Sequence, residues 1–145
     1  KMPRRKALLI GINYFGSKHQ LNGCINDAYN AREYLVRERG FSPDQRDMVI
    51  LTDAPENRGT SFFPTAANLL AAFQWLVTYN SPGDSLWLSY SGHGSMFQYP
   101  PGVTMGSKWL IFFFLFSDRP SARSRWGSGF RVCSTDMKLK IYVVP

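Results

Sequence analysis

The chain opens on a short apolar run, Ala7-Leu-Leu-Ile-Gly-Ile12, and similar runs return twice before residue 97. Unbroken apolar stretches this short read as strands covered on both faces. Lys6 to Ile12 is the first, closed by Gly11 and Asn13, and Met48-Val-Ile-Leu51 is the second, ended by Thr52-Asp53. Leu86, Trp87, Leu88 and Tyr90 make the third, entered through the turn Ser81-Pro82-Gly83-Asp84. Between the strands the spacing becomes helical. Ala28, Ala31, Leu35 and Val36 line one face of a segment that Asn26 or Asp27 is placed to cap and Gly40 to stop. Leu69, Phe73, Leu76 and Val77 line a second, opened by Pro64-Thr65 and broken by Asn80 to Gly83. Strands alternating with helices in this order predict an α/β fold whose parallel strands are joined by right-handed crossovers.

Beyond Phe97 the pattern changes. Tyr99-Pro-Pro-Gly102 is a breaker, Trp109-Leu-Ile-Phe-Phe-Phe-Leu-Phe116 is intensely apolar, and Ser117 to Gly129 is rich in Ser, Arg, Gly and Trp. Met137 to Val144 reads as a short strand, and no further crossover helix is legible. The expected organisation is a partial α/β domain over 1–97 and an irregular tail over 98–145. Three strands alone leave a sheet edge and much apolar surface uncovered. The apolar stretch of the tail would either cover that face or promote aggregation.

Composition narrows the function. The 145 residues suffice for one domain with a real core. A net charge of +7 hints at nucleic acid until its distribution is read. Residues 1–97 hold ten Lys/Arg against eight Asp/Glu, with four of the ten in Lys1-Met-Pro-Arg-Arg-Lys6, whereas 98–145 hold seven against two. Basic ends without an interleaved aromatic stripe argue against a nucleic-acid partner. Cys24 and Cys133 make no disulfide framework, so a reducing, cytoplasmic setting is expected. The apolar runs are too short for a membrane span, and no small-residue cleavage site marks a signal peptide.

The third strand leads into Tyr90-Ser-Gly-His-Gly94. His93 lies between glycines near the carboxyl end of a parallel strand, where open α/β sheets place their chemistry. It is either a surface-loop histidine or a proton carrier near neutral pH, and spacing leaves both open.

Six segments in register sharpen the choice: Lys6-Ala-Leu-Leu-Ile-Gly-Ile-Asn-Tyr14, Leu21-Asn-Gly-Cys-Ile-Asn-Asp-Ala28, Asp47-Met-Val-Ile-Leu-Thr-Asp53, Gln74-Trp-Leu76, Pro82-Gly-Asp-Ser85 and Tyr90-Ser-Gly-His-Gly94. Together, over about residues 4–95, they resemble the large-subunit half of a type I metacaspase, a caspase-like cysteine peptidase. The resemblance implies an incomplete caspase-like three-layer sandwich and cleavage of peptides or proteins after Arg or Lys, in apoptosis-like cell death. It implies that His93 serves a cysteine thiolate by keeping it ionised and protonating the leaving amine. It also implies that Cys24, Asp27 and Ser91 line the pocket for the basic side chain, where a carboxylate would pair with a guanidinium or ammonium. On the residues alone, Asp27 is equally a helix cap, Cys24 a buried small apolar residue, and Ser91 a partner for turn backbone.

The sequence departs from the family downstream. Relatives carry an Asp-Xaa-Cys-His-Ser-Gly segment roughly fifty residues beyond the histidine, a separation in line with that of caspases. Here the one downstream cysteine lies in Phe130-Arg-Val-Cys-Ser-Thr-Asp136, without an adjacent histidine, a preceding carboxylate or a Ser-Gly turn. Cys133 is therefore a poor nucleophile candidate. Calcium, which activates many metacaspases, needs several oxygen ligands, and Asp118 and Asp136 are isolated, so neither metal nor cofactor is expected. The expectation is a truncated, inactive peptidase half. The alternative is a non-catalytic module docking through its open sheet edge on a full-length relative.

Overall fold

The computed structural model describes residues 2–93 together with the backbone of 136–143. Strand β1 (Arg5–Gly11) lies between β2 (Met48–Thr52) and β3 (Ser85–His93), and both pair with it in parallel. The expected three-stranded parallel core is present, with Leu9 opposite Ile50 on one side and Ser89 on the other.

Because β1 is covered on both faces, its alternating residues feed two cores. Leu8 and Ile10 join Leu51, Tyr90 and the Leu69, Ala72 and Leu76 face of α2 (Ala66–Val77). Ala7 and Leu9 join Met48, Trp87 and the Ala28 and Leu35 face of α1 (Cys24–Glu38). Helices on opposite faces of one sheet give the three layers expected of the fold. Thr65 caps α2 by accepting a bond from the Asn68 N–H at 3.2 Å, as Pro64-Thr65 suggested.

Two features were not expected. Lys6 is buried in the centre of the sheet, where its Nζ donates to the Trp75 and Thr78 carbonyls at 2.5 and 2.9 Å and to Asn80 Oδ1 at 3.3 Å. Those carbonyls end α2, where a cation is favoured by the helix dipole. Burial, and after it the Arg4 charge, pull the Lys6 pKa below its ordinary value.

The second concerns the tail. Asp136–Val143 forms β4, close to the short strand read at 137–144, and it pairs antiparallel with β3 to give the order β2-β1-β3-β4. The outer edge of β3 is thus paired, and β2 stands at the other end of the sheet.

Candidate active site

β3 does not stop at Tyr90. It continues through Ser91 and Gly92 and ends on His93, so the histidine expected in a glycine turn is a strand residue, only 8% exposed. Gly92 serves close approach rather than bending. A Cβ there would lie 2.6 Å from Tyr90 Oη and 3.1 Å from Tyr14 Oη. Gly94 lies outside the described residues.

The two ring nitrogens of His93 are in different surroundings. Nε2 is 2.5 Å from the His19 carbonyl. A carbonyl only accepts, so Nε2 carries the proton and, in the neutral ring, Nδ1 is the bare acceptor. Nδ1 is buried with no hydrogen-bond partner among the described residues. An imidazole held this way can take a proton at Nδ1 and return it.

The loop after β1 is held in place by Asp53. The buried Asp53 carboxylate accepts from the backbone N–H groups of Asn13 at 2.8 Å, Tyr14 at 2.6 Å and Phe15 at 3.4 Å. These bonds hold Tyr14 at φ 57°, a left-handed conformation that costs a bulky residue energy. The Tyr14 ring then packs on the imidazole, with centroids 4.7 Å apart at 41°. Asn13 Oδ1 in turn accepts the Cys24 N–H at 3.0 Å, joining this loop to the start of α1.

α1 begins earlier than its apolar spacing suggested. Its N-cap is Gly23 at φ 101°, with no side-chain capping bond, so the cap reading of Asn26 or Asp27 is not borne out. Asp27 lies inside the first turn, where a negative charge suits the dipole. Its Oδ2 accepts the Ser91 hydroxyl at 2.8 Å. Asp27 and Ser91 line one cleft of about 200 Å³, together with Asn30, Tyr34, Trp87 and Ser89. Cys24, one turn before Asp27 on α1, is not among the residues that line it. It is 7% exposed, and its backbone carbonyl presses on Gly11, where an added Cβ would collide with it. The structure therefore brings Asp27 and Ser91 together, puts His93 two residues further along β3, and leaves Cys24 in the core. Cys133 and Asp118 lie outside the described residues.

Comparison with known proteins gives the family. The family described as metacaspase, peptidase C14 domain, matches residues 5–103. The chain belongs to the metacaspase family. It is similar to Metacaspase-1 of Saccharomyces cerevisiae strain S288c, 56% identical over 91 residues that make up 63% of this chain and 20% of that protein. Metacaspase-1 of Yarrowia lipolytica is 54% identical over 91 residues, 63% of this chain and 19% of the relative. Metacaspase-1 of Emericella nidulans is 55% identical over the same number, covering 63% and 22%. The chain thus spans about a fifth of the length of these curated metacaspases.

Tyr14, His19, Asp53 and Tyr90 carry the geometry of this candidate site, whereas spacing makes Tyr90 only a strand residue and Asp53 only a strand end, and gives Tyr14 and His19 no role. Tyr14, Asp53 and Tyr90 do sit inside the segments that carried the resemblance. Among the described residues no three His, Cys, Asp or Glu side chains converge, and the stretch soon after His93, where the resemblance would put calcium ligands, lies outside them. Among the same residues, no helix is long and apolar enough to cross a membrane.

Proposed function

We propose that residues 4–95 are the histidine-bearing half of a cysteine endopeptidase that cuts proteins or peptides after Arg or Lys in a reducing, cytoplasmic compartment. The observation that carries this is the state of His93: Nε2–H committed to the His19 carbonyl, and a buried Nδ1 with no described partner. In the reaction, Nδ1 takes the proton of a cysteine thiol, leaving a thiolate and an imidazolium. The thiolate adds to the peptide carbonyl carbon. The imidazolium then returns its proton to the departing amine as the C–N bond breaks, and water later releases the acyl group from sulfur.

Asp27 is the charge that meets the substrate's guanidinium or ammonium, and the Ser91 hydroxyl orients it. Cys24 supports this pocket from the core rather than lining it. The 145 residues contain no Asp-Xaa-Cys-His-Ser-Gly segment, and the buried Cys24 is a poor substitute for that nucleophile. By itself the chain is therefore inactive. Docking on a full-length relative through β3 is the weaker reading, because β4 already occupies that edge.

The test is a chimera in which residues 97–145 are replaced by the matching half of an active type I metacaspase. Cleavage after Arg and Lys should return, and His93→Ala should abolish it. A chimera that folds and binds a basic peptide aldehyde, yet keeps its rate after His93→Ala, would overturn the proposal.

A further inference from the structure

Tyr14 follows β1 and Tyr90 lies within β3, but their hydroxyl oxygens are 2.9 Å apart. Both also reach the backbone of His93. The His93 N–H donates to Tyr14 Oη at 3.1 Å, and the Tyr90 hydroxyl donates to the His93 carbonyl at 2.8 Å. A phenol has one hydrogen to give. Tyr90 spends its hydrogen on the carbonyl, so Tyr14 is the donor between the two. The bonds close a ring: His93 N–H to Tyr14, Tyr14 to Tyr90, and Tyr90 back to the carbonyl of the same histidine.

Taking His93 as the proton carrier proposed above, we infer that the Tyr14 and Tyr90 hydroxyls are positioning groups that fix its backbone, keeping Nε2 on the His19 carbonyl and Nδ1 bare. Two tyrosines that merely satisfied each other in a core would need no bond to His93. Gly92 supports the assignment, since any side chain there would displace one hydroxyl or the other. So does Asp53, which holds Tyr14 in its unfavourable conformation. Burial raises the pKa of both phenols, so each keeps the hydrogen that the ring requires.

The full 145-residue chain labelled with ¹⁵N provides the test without any turnover. It has two histidines, His19 and His93, which a His19→Gln variant tells apart. Neutral His93 should be mostly the Nε2–H tautomer, with a slowly exchanging amide. Tyr14→Phe and Tyr90→Phe should each speed His93 amide exchange roughly tenfold beyond any change at Leu9 and Ile10 in β1, the worth of one hydrogen bond. Each should also let the Nδ1–H tautomer appear. The double variant should go little further, because one broken link already opens the ring. If the His93 amide and tautomer simply follow Leu9 and Ile10 in every variant, the inference is overturned. Should a tyrosine variant fail to fold, Asp53→Asn loosens Tyr14 while keeping its hydroxyl, and an unchanged tautomer there overturns the inference as well. Failure of the proton-carrier reading would appear elsewhere, as full turnover by the His93→Ala chimera, and would leave the tautomer result standing.

Discussion

The Ser91 hydroxyl donates to Asp27 Oδ2 across 2.8 Å, tying the last turn of strand chemistry on β3 to the first turn of α1. The bond orients a carboxylate at the rim of the cleft without neutralising it. Removal of the charge and removal of its orienting partner should therefore have different effects. In the chimera, Asp27→Ala should lower kcat/KM for Arg and Lys substrates relative to neutral ones by about 1.5–3 kcal/mol, the worth of a charged hydrogen bond. Ser91→Ala should cost about 1 kcal/mol or less in the same ratio. Equal losses on basic and neutral substrates would make the pair structural.

The unmodified chain should not cleave fluorogenic peptides ending in Arg or Lys, with or without calcium. The reason is the lack of the nucleophile segment in these 145 residues. Calcium-stimulated turnover that vanishes in Cys133→Ser would show that the segment beyond Gly94 builds a working nucleophile.

Asp53→Ala should be among the most damaging single changes away from the cleft. It strips the acceptor from the buried backbone N–H groups of Asn13 and Tyr14 and leaves Tyr14 with an unfavourable φ. A loss on the order of 3 kcal/mol is expected from the unsatisfied donors. Urea unfolding measures it, and a loss below about 1 kcal/mol would mean that water replaces the carboxylate readily.

The parallel core was legible because apolar runs and helical spacing report burial directly, and β1, α1, β2, α2 and β3 all rest on such patterns. Asp27 and Ser91 are legible only through the family resemblance, since spacing alone leaves each an ordinary structural role, while for His93 spacing leaves the proton carrier and the loop histidine both open. What escaped the sequence depends on contacts between distant segments. A lysine in an apolar run gives no sign that the end of α2 will accept its ammonium. Asp53 looks like a strand terminator until the loop after β1 folds onto it. Asn26 and Asp27 are better caps by type than Gly23, and only the left-handed backbone at 23 makes that glycine the start of α1.

The tyrosine pair gives stability a pH dependence of known sign. Both phenols ionise at their ordinary 10.0 once unfolded, while burial, joined for Tyr90 by its neighbour Tyr14, raises them in the fold. Above pH 10 the unfolded chain therefore binds fewer protons than the folded one. Their contribution is complete below that pH and is lost as pH rises, by up to about 1.4 kcal/mol per tyrosine and pH unit. Urea midpoints should fall between pH 10 and 11.5 in the wild type, and fall less steeply in the Tyr14→Phe/Tyr90→Phe variant. Lys6 is common to both and cancels in the difference. Parallel slopes would show that the hydroxyls are already accessible to hydroxide.

The sequence begins with a basic cluster that any enzyme cutting after Arg or Lys would find attractive. In the fold Arg4, Arg5 and Lys6 are occupied. Arg4 pairs with Asp47 and the Arg46 carbonyl, Arg5 donates to the Gly40 carbonyl, and Lys6 is buried against the end of α2. The bonds after Arg5 and Lys6 belong to β1, which pairs there with Ser85 and Leu86 of β3 and, from Ala7 onward, with β2 as well. A protease needs an unpaired extended segment, which β1 does not offer; the Arg5 side chain is exposed, whereas that of Lys6 is buried. The Lys6–Ala7 bond is thereby shielded from any peptidase that cuts after Arg or Lys for as long as the sheet stays folded.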